Sequence, residues 1–323
     1  MPIELAALSS KDKVLFDIPL APVQGQRFQP TGFPDLGAAT YATETGTCLL
    51  IESAQSMANR LEATCWDEGL QTLQPDLAGL SYVRVNDKDG RFLTSSVLEA
   101  HRINSVYIEK ADKGELHKTI GKEIGLAKDR PISRPNLVKA LLQFDAGSLI
   151  HGVFLESIDG RLRIARAMSA FIEAGGARVA ASGGVKNDRV KPGTEKGDSE
   201  GESKTAKDGY GNVPFHRDEF TARAITLFAN IDLAQIRGYG LGDAPTKMLT
   251  LLALFKLRAL IDGNLRLRTA CDFKVTVDDI VATNAKFTLP ARADLLSDLA
   301  ASIKACEPHF AKNQGVTTVT YAG

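Results

Sequence analysis

The residues best suited to chemistry lie together at the start of one predicted helix, in the segment IESAQSMANR. They are Ser53, Gln55, Ser56, Asn59 and Arg60. Ser53 is placed to cap the helix, next to first-turn N–H groups that have no partner within the helix. Two amides, hydroxyls and a guanidinium at a helix N-terminus can hold a phosphate, and they offer no general base. The same pattern also fits an ordinary capped helix with a solvated polar face.

Patterns typical of catalysis do not occur elsewhere in the sequence. The five histidines have no metal-ligand spacing, and there is no nucleophile elbow or Walker loop. RGYGLGD precedes an apolar helix and resembles a dinucleotide fingerprint, but its glycines are spaced G-x-G-x-G rather than G-x-G-x-x-G. We therefore expect a tight turn there, no cofactor, no metal and no enzymatic activity. A small-molecule enzyme that uses this turn is the alternative.

Charge is unevenly distributed along the chain. The 39 basic and 39 acidic residues balance, yet residues 1–99 carry a net charge of −6 and residues 100–192 a net charge of +6. Such a chain could bind a polyanion on one face, or copies of it could stack acidic face to basic face. An ordinary soluble surface with uneven charge remains the third interpretation.

The cysteines and the hydropathy of the chain indicate its compartment. Four scattered cysteines, without a C-x-x-C pair, are typical of a reducing environment. No apolar run is long enough to cross a bilayer, and the N-terminus lacks the basic region of a signal peptide. We expect a cytoplasmic protein that does not bind membranes, and its 323 residues are enough for one large domain or two small ones.

The periodicity of the apolar residues predicts the strands and helices that position the polar residues between Ser53 and Arg60. TCLLIES predicts a buried strand, and AQSMANRLEATCW predicts a helix with one apolar face. Further predicted elements, with their sequences, are a strand SYVRV, a helix SSVLEAHR, a strand LIHGVFLES, a helix GRLRIARAMSAFIEAG, a strand ARVAAS, a strand FTARAITLFANID, a buried helix TKMLTLLALFKLRALID, a half-buried strand LRLRTACDFKV, a helix ARADLLSDLAASIKACEPHF and a strand VTTVTY. Their irregular succession favours the α+β class.

Two segments are too polar to be part of a core. Residues 109–134 are charged and are expected to pack only partly. Residues 183–215 are rich in Gly, Lys, Asp, Glu and Ser, which predicts a mobile loop or a protruding hairpin.

Several motifs, in order along the chain, resemble one known family. They are LLIESAQSMANRLE, LEAHRINS, LIHGVFLES, RIARAMSAFIEA, ASGGVKND and RGYGL. The chain is similar to the backbone subunit of type I-G (formerly I-U) CRISPR effector complexes, which belongs to the RAMP superfamily. The resemblance implies a modified RRM, or ferredoxin-like, core in a single domain, with a finger-like insertion at residues 67–149 and a thumb-like loop at residues 183–215.

The resemblance also implies a function and partners. Copies would assemble into a helical filament along a crRNA, hold its phosphate backbone and leave its bases free to pair with target DNA in antiviral defence. A large subunit and a crRNA-processing or capping subunit would complete the Cascade-like complex. The alternative is an RNA endonuclease of the type III kind that cuts with a loop aspartate.

Candidate RNA-binding residues also lie outside the helix start, and each has a plain alternative. His101 and Arg102 could contact phosphate or ribose, or form a surface pair at a helix end. Arg163 and Arg166 are predicted to share a helix face with Glu173, which also fits a solvated face. The remaining candidates form a basic, flexible strip that would suit any exposed loop as well. They are Gly183, Gly184, Lys186, Arg189 and Lys191.

Overall fold

Strands and helices contribute similar numbers of residues to the structure, a computed structural model that describes residues 3–33, 35–127, 129–186, 213–263 and 265–323. The strands are β1 (Lys13–Pro22), β2 (Gly32–Phe33), β3 (Gly37–Ala38), β4 (Thr40–Thr43), β5 (Gly46–Glu52), β6 (Trp66–Asp67), β7 (Thr72–Leu73), β8 (Tyr82–Asn86), β9 (Phe92–Ser95), β10 (Val153–Phe154), β11 (Arg163–Ile164), β12 (Met168–Gly175), β13 (Arg178–Lys186), β14 (Val213–Thr221), β15 (Ala224–Asp232), β16 (Leu265–Arg268), β17 (Cys271–Val275) and β18 (Val316–Thr320).

The helices have between 4 and 20 residues and are distributed along the whole chain. They are α1 (Ala6–Ser9), α2 (Ala54–Ala63), α3 (Val106–Glu109), α4 (Glu115–Ile124), α5 (Arg134–Phe144), α6 (Gly147–His151), α7 (Leu233–Gly238), α8 (Asp243–Asp262) and α9 (Arg292–Ala305). This mixture of helices and strands confirms the predicted α+β class. None of the helices in the described ranges has the length and apolar character needed to span a membrane.

The central sheet has seven strands in the order β16-β17-β1-β15-β12-β5-β4. All of its pairings are antiparallel. Side chains on β1, β12 and β15 alternate between buried and more exposed positions, because successive residues of a strand point to opposite faces. α2 lies between β1 and β12 in the chain, and α8 lies between β15 and β17.

The helices α2 and α8 form the core together with this sheet, as the sequence predicted. Every residue from Met248 to Leu257 of α8 is buried, and α2 packs against both β12 and α8. α9 packs against α8 in turn. Between α7 and α8, Gly240 and Gly242 have positive φ values of 66° and 88°, which confirms a tight glycine turn at this position.

A second group of elements, between α2 and β12, packs beside the sheet. β18 from the C-terminal end of the chain joins it by pairing in parallel with β8, which also pairs with β9. Its α4 buries Leu116, His117, Ile120 and Ile124, so residues 109–134 contribute side chains to the core and are more than a charged surface segment. A finger-like role for residues 67–149 stays a prediction.

The prediction of a helix over residues 160–175 is wrong. Arg163–Ile164 is the short strand β11, and Met168–Gly175 is the central strand β12, paired on both sides. Met168, Ala170, Ile172 and Ala174 are all buried, which is the period-two pattern of a strand. Pairing with β15 and β5 outweighs the helical preference of the alanine-rich sequence.

Three other predicted elements differ from the structure. Residues 149–157 contain the end of α6 and the short strand β10 rather than one long strand. LRLRTACDFKV folds back on itself as β16 and β17, with Ala270 at a positive φ of 58° in the turn. The predicted helix SSVLEAHR is a series of turns followed by a short 3-10 helix, Arg102–Asn104.

The polar segment at residues 183–215 is described only at its two ends. Gly183, Gly184 and Lys186 belong to β13, which pairs with β14 along its whole length to form a hairpin. An added Cβ at Gly183 would lie 2.4 Å from the carbonyl oxygen of Phe215, so the two strands approach too closely there for a side chain. Arg189 and Lys191 lie outside the described residues.

Candidate nucleic-acid interface

A basic cleft of about 980 Å³ lies where the start of α2 meets the loops around β10 and β11. Its walls carry four arginines, two histidines and one carboxylate. These are Arg102, Arg134, Arg163, Arg166, His101, His151 and Glu156. Five of the residues singled out from the sequence line it, namely Gln55, His101, Arg102, Arg163 and Arg166. Positively charged side chains from segments that are far apart in the sequence therefore lie together in this cleft.

The start of α2 forms one rim of the cleft. The Ser53 hydroxyl accepts a hydrogen bond from the Ser56 N–H at 3.3 Å, which confirms the predicted cap. Gln55 is exposed, and its Oε1 accepts a hydrogen bond from Arg166. The first turn of α2 therefore reaches the cleft through the side chain of Gln55. Asn59 is half-buried, and its Oδ1 has no hydrogen-bond partner among the described residues.

Arg60 has protein partners on the sheet. Its guanidinium donates to the carbonyl oxygen of Leu267 at 2.7 Å and lies 3.6 Å from the carboxylate of Glu52. Glu52 is 2% exposed and also pairs with Arg268. Arg60 therefore connects α2 to the β16–β17 hairpin, and a contact between Arg60 and RNA stays a prediction.

Arg102 and His101 occupy different environments, so the alternative that they form a surface pair is wrong. Arg102 is 4% exposed and donates two hydrogen bonds to Glu62, of 2.9 and 2.6 Å, whereas His101 is exposed. Burial raises the pKa of Glu62 to about 7, although Arg102 and Lys256 favour its ionised form. Arg102 contributes charge to the floor of the cleft from a fixed position.

Arg163 and Arg166 lie on extended chain and do not share a helix face with Glu173. Arg163 is exposed on β11, and its guanidinium lies 4.9 Å from the centre of the Phe154 ring. Arg166, in the link between β11 and β12, is half-buried and hydrogen-bonds to Gln55. Neither residue forms an ion pair with any carboxylate that the structure describes. Their charges are available to an anionic ligand.

One glycine brings these segments together. Gly152 follows α6 with a φ of 75°, a conformation that residues with a side chain rarely adopt. An added Cβ would lie 2.8 Å from the carbonyl oxygen of Ile164 and 2.9 Å from the backbone nitrogen of Arg166. The chain after α6 can approach the Arg166 segment this closely only because Gly152 has no side chain.

The structure adds residues that sequence reasoning missed. Arg134 opens α5 and is exposed in the cleft wall, and Phe154 lies beside Arg163 with 42% of its surface exposed. His151, which falls in the predicted strand LIHGVFLES, instead ends α6 and lines the cleft. An exposed aromatic next to an arginine is a usual platform for a nucleic-acid base. In the sequence, only the position of Phe154 three residues after His151 could have suggested this platform.

The remaining candidates do not line the cleft. Gly183, Gly184 and Lys186 are on the hairpin, and Ser53, Ser56, Asn59 and Arg60 lie along α2 next to the rim. Within the described ranges, no three His, Cys, Asp or Glu side chains are grouped so that they could hold a metal ion.

The chain resembles proteins of CRISPR systems. Residues 14–179, just over half of the chain, match the family model described as CRISPR-associated protein GSU0053. A solved structure titled "CRISPR RNA-guided surveillance complex, pre-nicking" is 11% identical, with a TM-score of 0.36, and the match covers 78% of this chain and 71% of that chain. Csc2 of Thermofilum pendens is 11% identical, with a TM-score of 0.32, and the match covers 94% of this chain and 77% of that chain. No curated protein matches.

Proposed function

Because the chain belongs to the family of CRISPR-associated protein GSU0053, we propose that it is a backbone subunit of a CRISPR effector complex. In this proposal the basic cleft holds the phosphate backbone of the crRNA. The observation that carries the proposal is the set of three arginines, Arg134, Arg163 and Arg166, that line one cleft and have no ion pair with a described carboxylate. Guanidinium groups match phosphate geometry, and their charge is not neutralised by the protein.

The cleft fits a single strand that is held without sequence selection. Phosphate contacts supply affinity and position but carry no sequence information. Phe154, under the Arg163 guanidinium, offers a π-face on which any base could stack. A crRNA held in this way would leave its base edges free to pair with target DNA.

The proposal also covers the type of fold and the type of effector complex. The strand order β17-β1-β15-β12, with α2 and α8 in the connections, supports a ferredoxin-like core of the RRM kind. We assign the subunit to a type I-G complex, with further copies of itself, a large subunit and a crRNA-processing subunit as partners. We take its role there to be non-catalytic and cytoplasmic.

The salt dependence of binding tests the cleft. Replacing both Arg163 and Arg166 by alanine should weaken the binding of single-stranded RNA at least tenfold. Each lost phosphate contact should also reduce the slope of log K against log salt by about 0.7. Fluorescence anisotropy with two RNAs of unrelated sequence would measure both effects, and the loss should be equal for the two RNAs.

The matched control removes the same charge elsewhere. Lys304 and Lys312 are exposed and lie outside the cleft. A Lys304→Ala/Lys312→Ala protein should keep the wild-type slope and affinity. If both double variants lose affinity alike, binding follows net charge alone and the cleft is not the site. A loss confined to one RNA sequence would also contradict a backbone-binding subunit.

A further inference from the structure

One histidine in the floor of the cleft has a buried nitrogen without a partner. His151 is 1% exposed and lines the cleft. Its Nε2 lies 3.0 Å from Nζ of Lys256 on α8. Its Nδ1 has no hydrogen-bond partner among the described residues. A buried polar atom without a partner is uncommon in folded proteins and calls for a physical explanation.

The lysine fixes which nitrogen of the ring carries the proton. An ammonium group has donors only, so the Nε2 of His151 must accept from Lys256. A neutral imidazole has one donor nitrogen and one acceptor nitrogen, which leaves the hydrogen on Nδ1. The unpartnered atom is therefore an N–H donor, and the partner it lacks is an acceptor.

Burial, together with the surrounding cations, keeps the imidazole ring of His151 neutral. Burial is the main reason that the pKa of His151 lies well below its ordinary value, and the cations Lys256, Arg102 and Arg166 act in the same direction. Two buried carboxyl groups also lie in this network, Glu62 paired with Arg102 and Asp145 hydrogen-bonded to Ser148. The Nδ1–H of His151 thus stays a neutral donor in a region with an excess of cations.

We propose that His151 is a ligand-binding residue of the cleft, whose Nδ1–H donates a hydrogen bond to an oxygen of the bound sugar–phosphate chain. This inference rests on the proposed function, because it names the atom that completes the same site. A phosphate oxygen and a ribose 2′-hydroxyl share the acceptor chemistry that Nδ1–H requires. Arg166 lies in the link that packs against Gly152, next to His151 in the chain, and would neutralise the same phosphate.

The test follows the imidazole nitrogens of the full-length protein by ¹H–¹⁵N NMR. The chain has five histidines, and the signals of His151 are identified by their loss in His151→Phe. Near pH 7, His151 should be neutral with its hydrogen on Nδ1. Saturation with a single-stranded RNA of about 30 nucleotides should shift the Nδ1–H signal and leave the tautomer unchanged. A DNA of the same sequence should give the same shift if the acceptor is a phosphate oxygen, and no shift if it is the 2′-hydroxyl.

Binding measured on the same samples separates the possible failures. RNA that binds while the His151 signals stay in place overturns this inference alone, as does a charged ring or an Nε2–H tautomer. RNA that does not bind at all overturns the proposed function and the inference with it. His151→Phe keeps the ring volume without the donor and should lose about tenfold or more in affinity. If that variant fails to fold, single substitutions of the other four histidines identify the His151 signals by elimination, and the measurement on the unaltered chain still decides the question.

Discussion

The arginines of the cleft differ in what they can do, because their partners differ. Arg102 is paired with Glu62. Arg60, which lies next to the rim, is likewise held by Glu52 and a backbone carbonyl. Among the described residues, the partners of Arg163 and Arg166 are an aromatic ring, a backbone carbonyl oxygen and an amide. Buried ion pairs of the first kind hold the site in shape, and the unpaired cations supply its attraction for anions.

Glu62 gives the site a pH dependence that can be measured. Its pKa is raised from the ordinary value of 4.5 to about 7 in the folded chain. Between these two pH values, the folded chain therefore binds more protons at Glu62 than the unfolded chain does. The free energy of unfolding should therefore fall as pH rises through this window, by up to about 1.4 kcal/mol per pH unit. Above about pH 7 this contribution should be constant.

Glu62→Gln supplies the comparison, because an amide does not titrate. The wild-type free energy of unfolding minus that of the variant should decrease from about pH 5 to about pH 7. Urea denaturation at several pH values measures it, and the difference cancels other titrating groups such as His151. A difference that stays constant or increases with pH would show that Glu62 ionises readily beside Arg102.

At the scale of elements, the close approach of α6 and the β11–β12 link makes the cleft. Gly152→Ala puts a Cβ 2.8 Å from a backbone oxygen, at a φ of 75°. We expect a loss of about 1–3 kcal/mol in unfolding free energy and weaker RNA binding, because the Arg166 segment must move away. Thermal melting and anisotropy measure the two effects.

Gly160→Ala is the matched control, since it lies in the neighbouring turn between β10 and β11. Its added Cβ would meet nothing within 4 Å, and its φ is not in the left-handed range. This variant should be as stable as the wild type, or slightly more stable because the unfolded chain has less freedom. Equal losses for both glycines would show that the turn as a whole, rather than the contact at Gly152, limits stability.

The elements that sequence predicted well are those with one strong periodicity. α8 and α9 have enough turns for the helical period of their apolar residues to be clear. The boundary between β5 and α2 was predictable because a buried strand is followed there by the capping residue Ser53. β12 was missed because the sequence MSAFIEAG fits both periods, and only its neighbours β5 and β15 decide between them. The cleft was found in part, since Arg134 and His151 join it through tertiary contacts that no local pattern contains.

At the scale of the whole molecule, apolar side chains are exposed on the β13–β14 hairpin. The β13–β14 hairpin exposes Val179, Val185 and Phe215 at 61%, 57% and 51%. An isolated two-stranded hairpin with apolar side chains in water is barely stable by itself. In the proposed complex, a neighbouring copy or the RNA would cover these side chains.

Assembly along RNA should therefore depend on both RNA length and the hairpin. We expect the mass of the complex to rise in steps of one chain, 34.7 kDa, as the single-stranded RNA is lengthened. Val179→Asp should limit these steps, because a charge would have to be desolvated at the contact, and should leave the affinity of the first copy nearly unchanged. Val281→Asp is the control, since Val281 is similarly exposed, at 52%, and lies outside the hairpin. Mass photometry counts the copies directly. One copy per RNA at every length, or equal losses in both variants, would contradict a filament built through the hairpin.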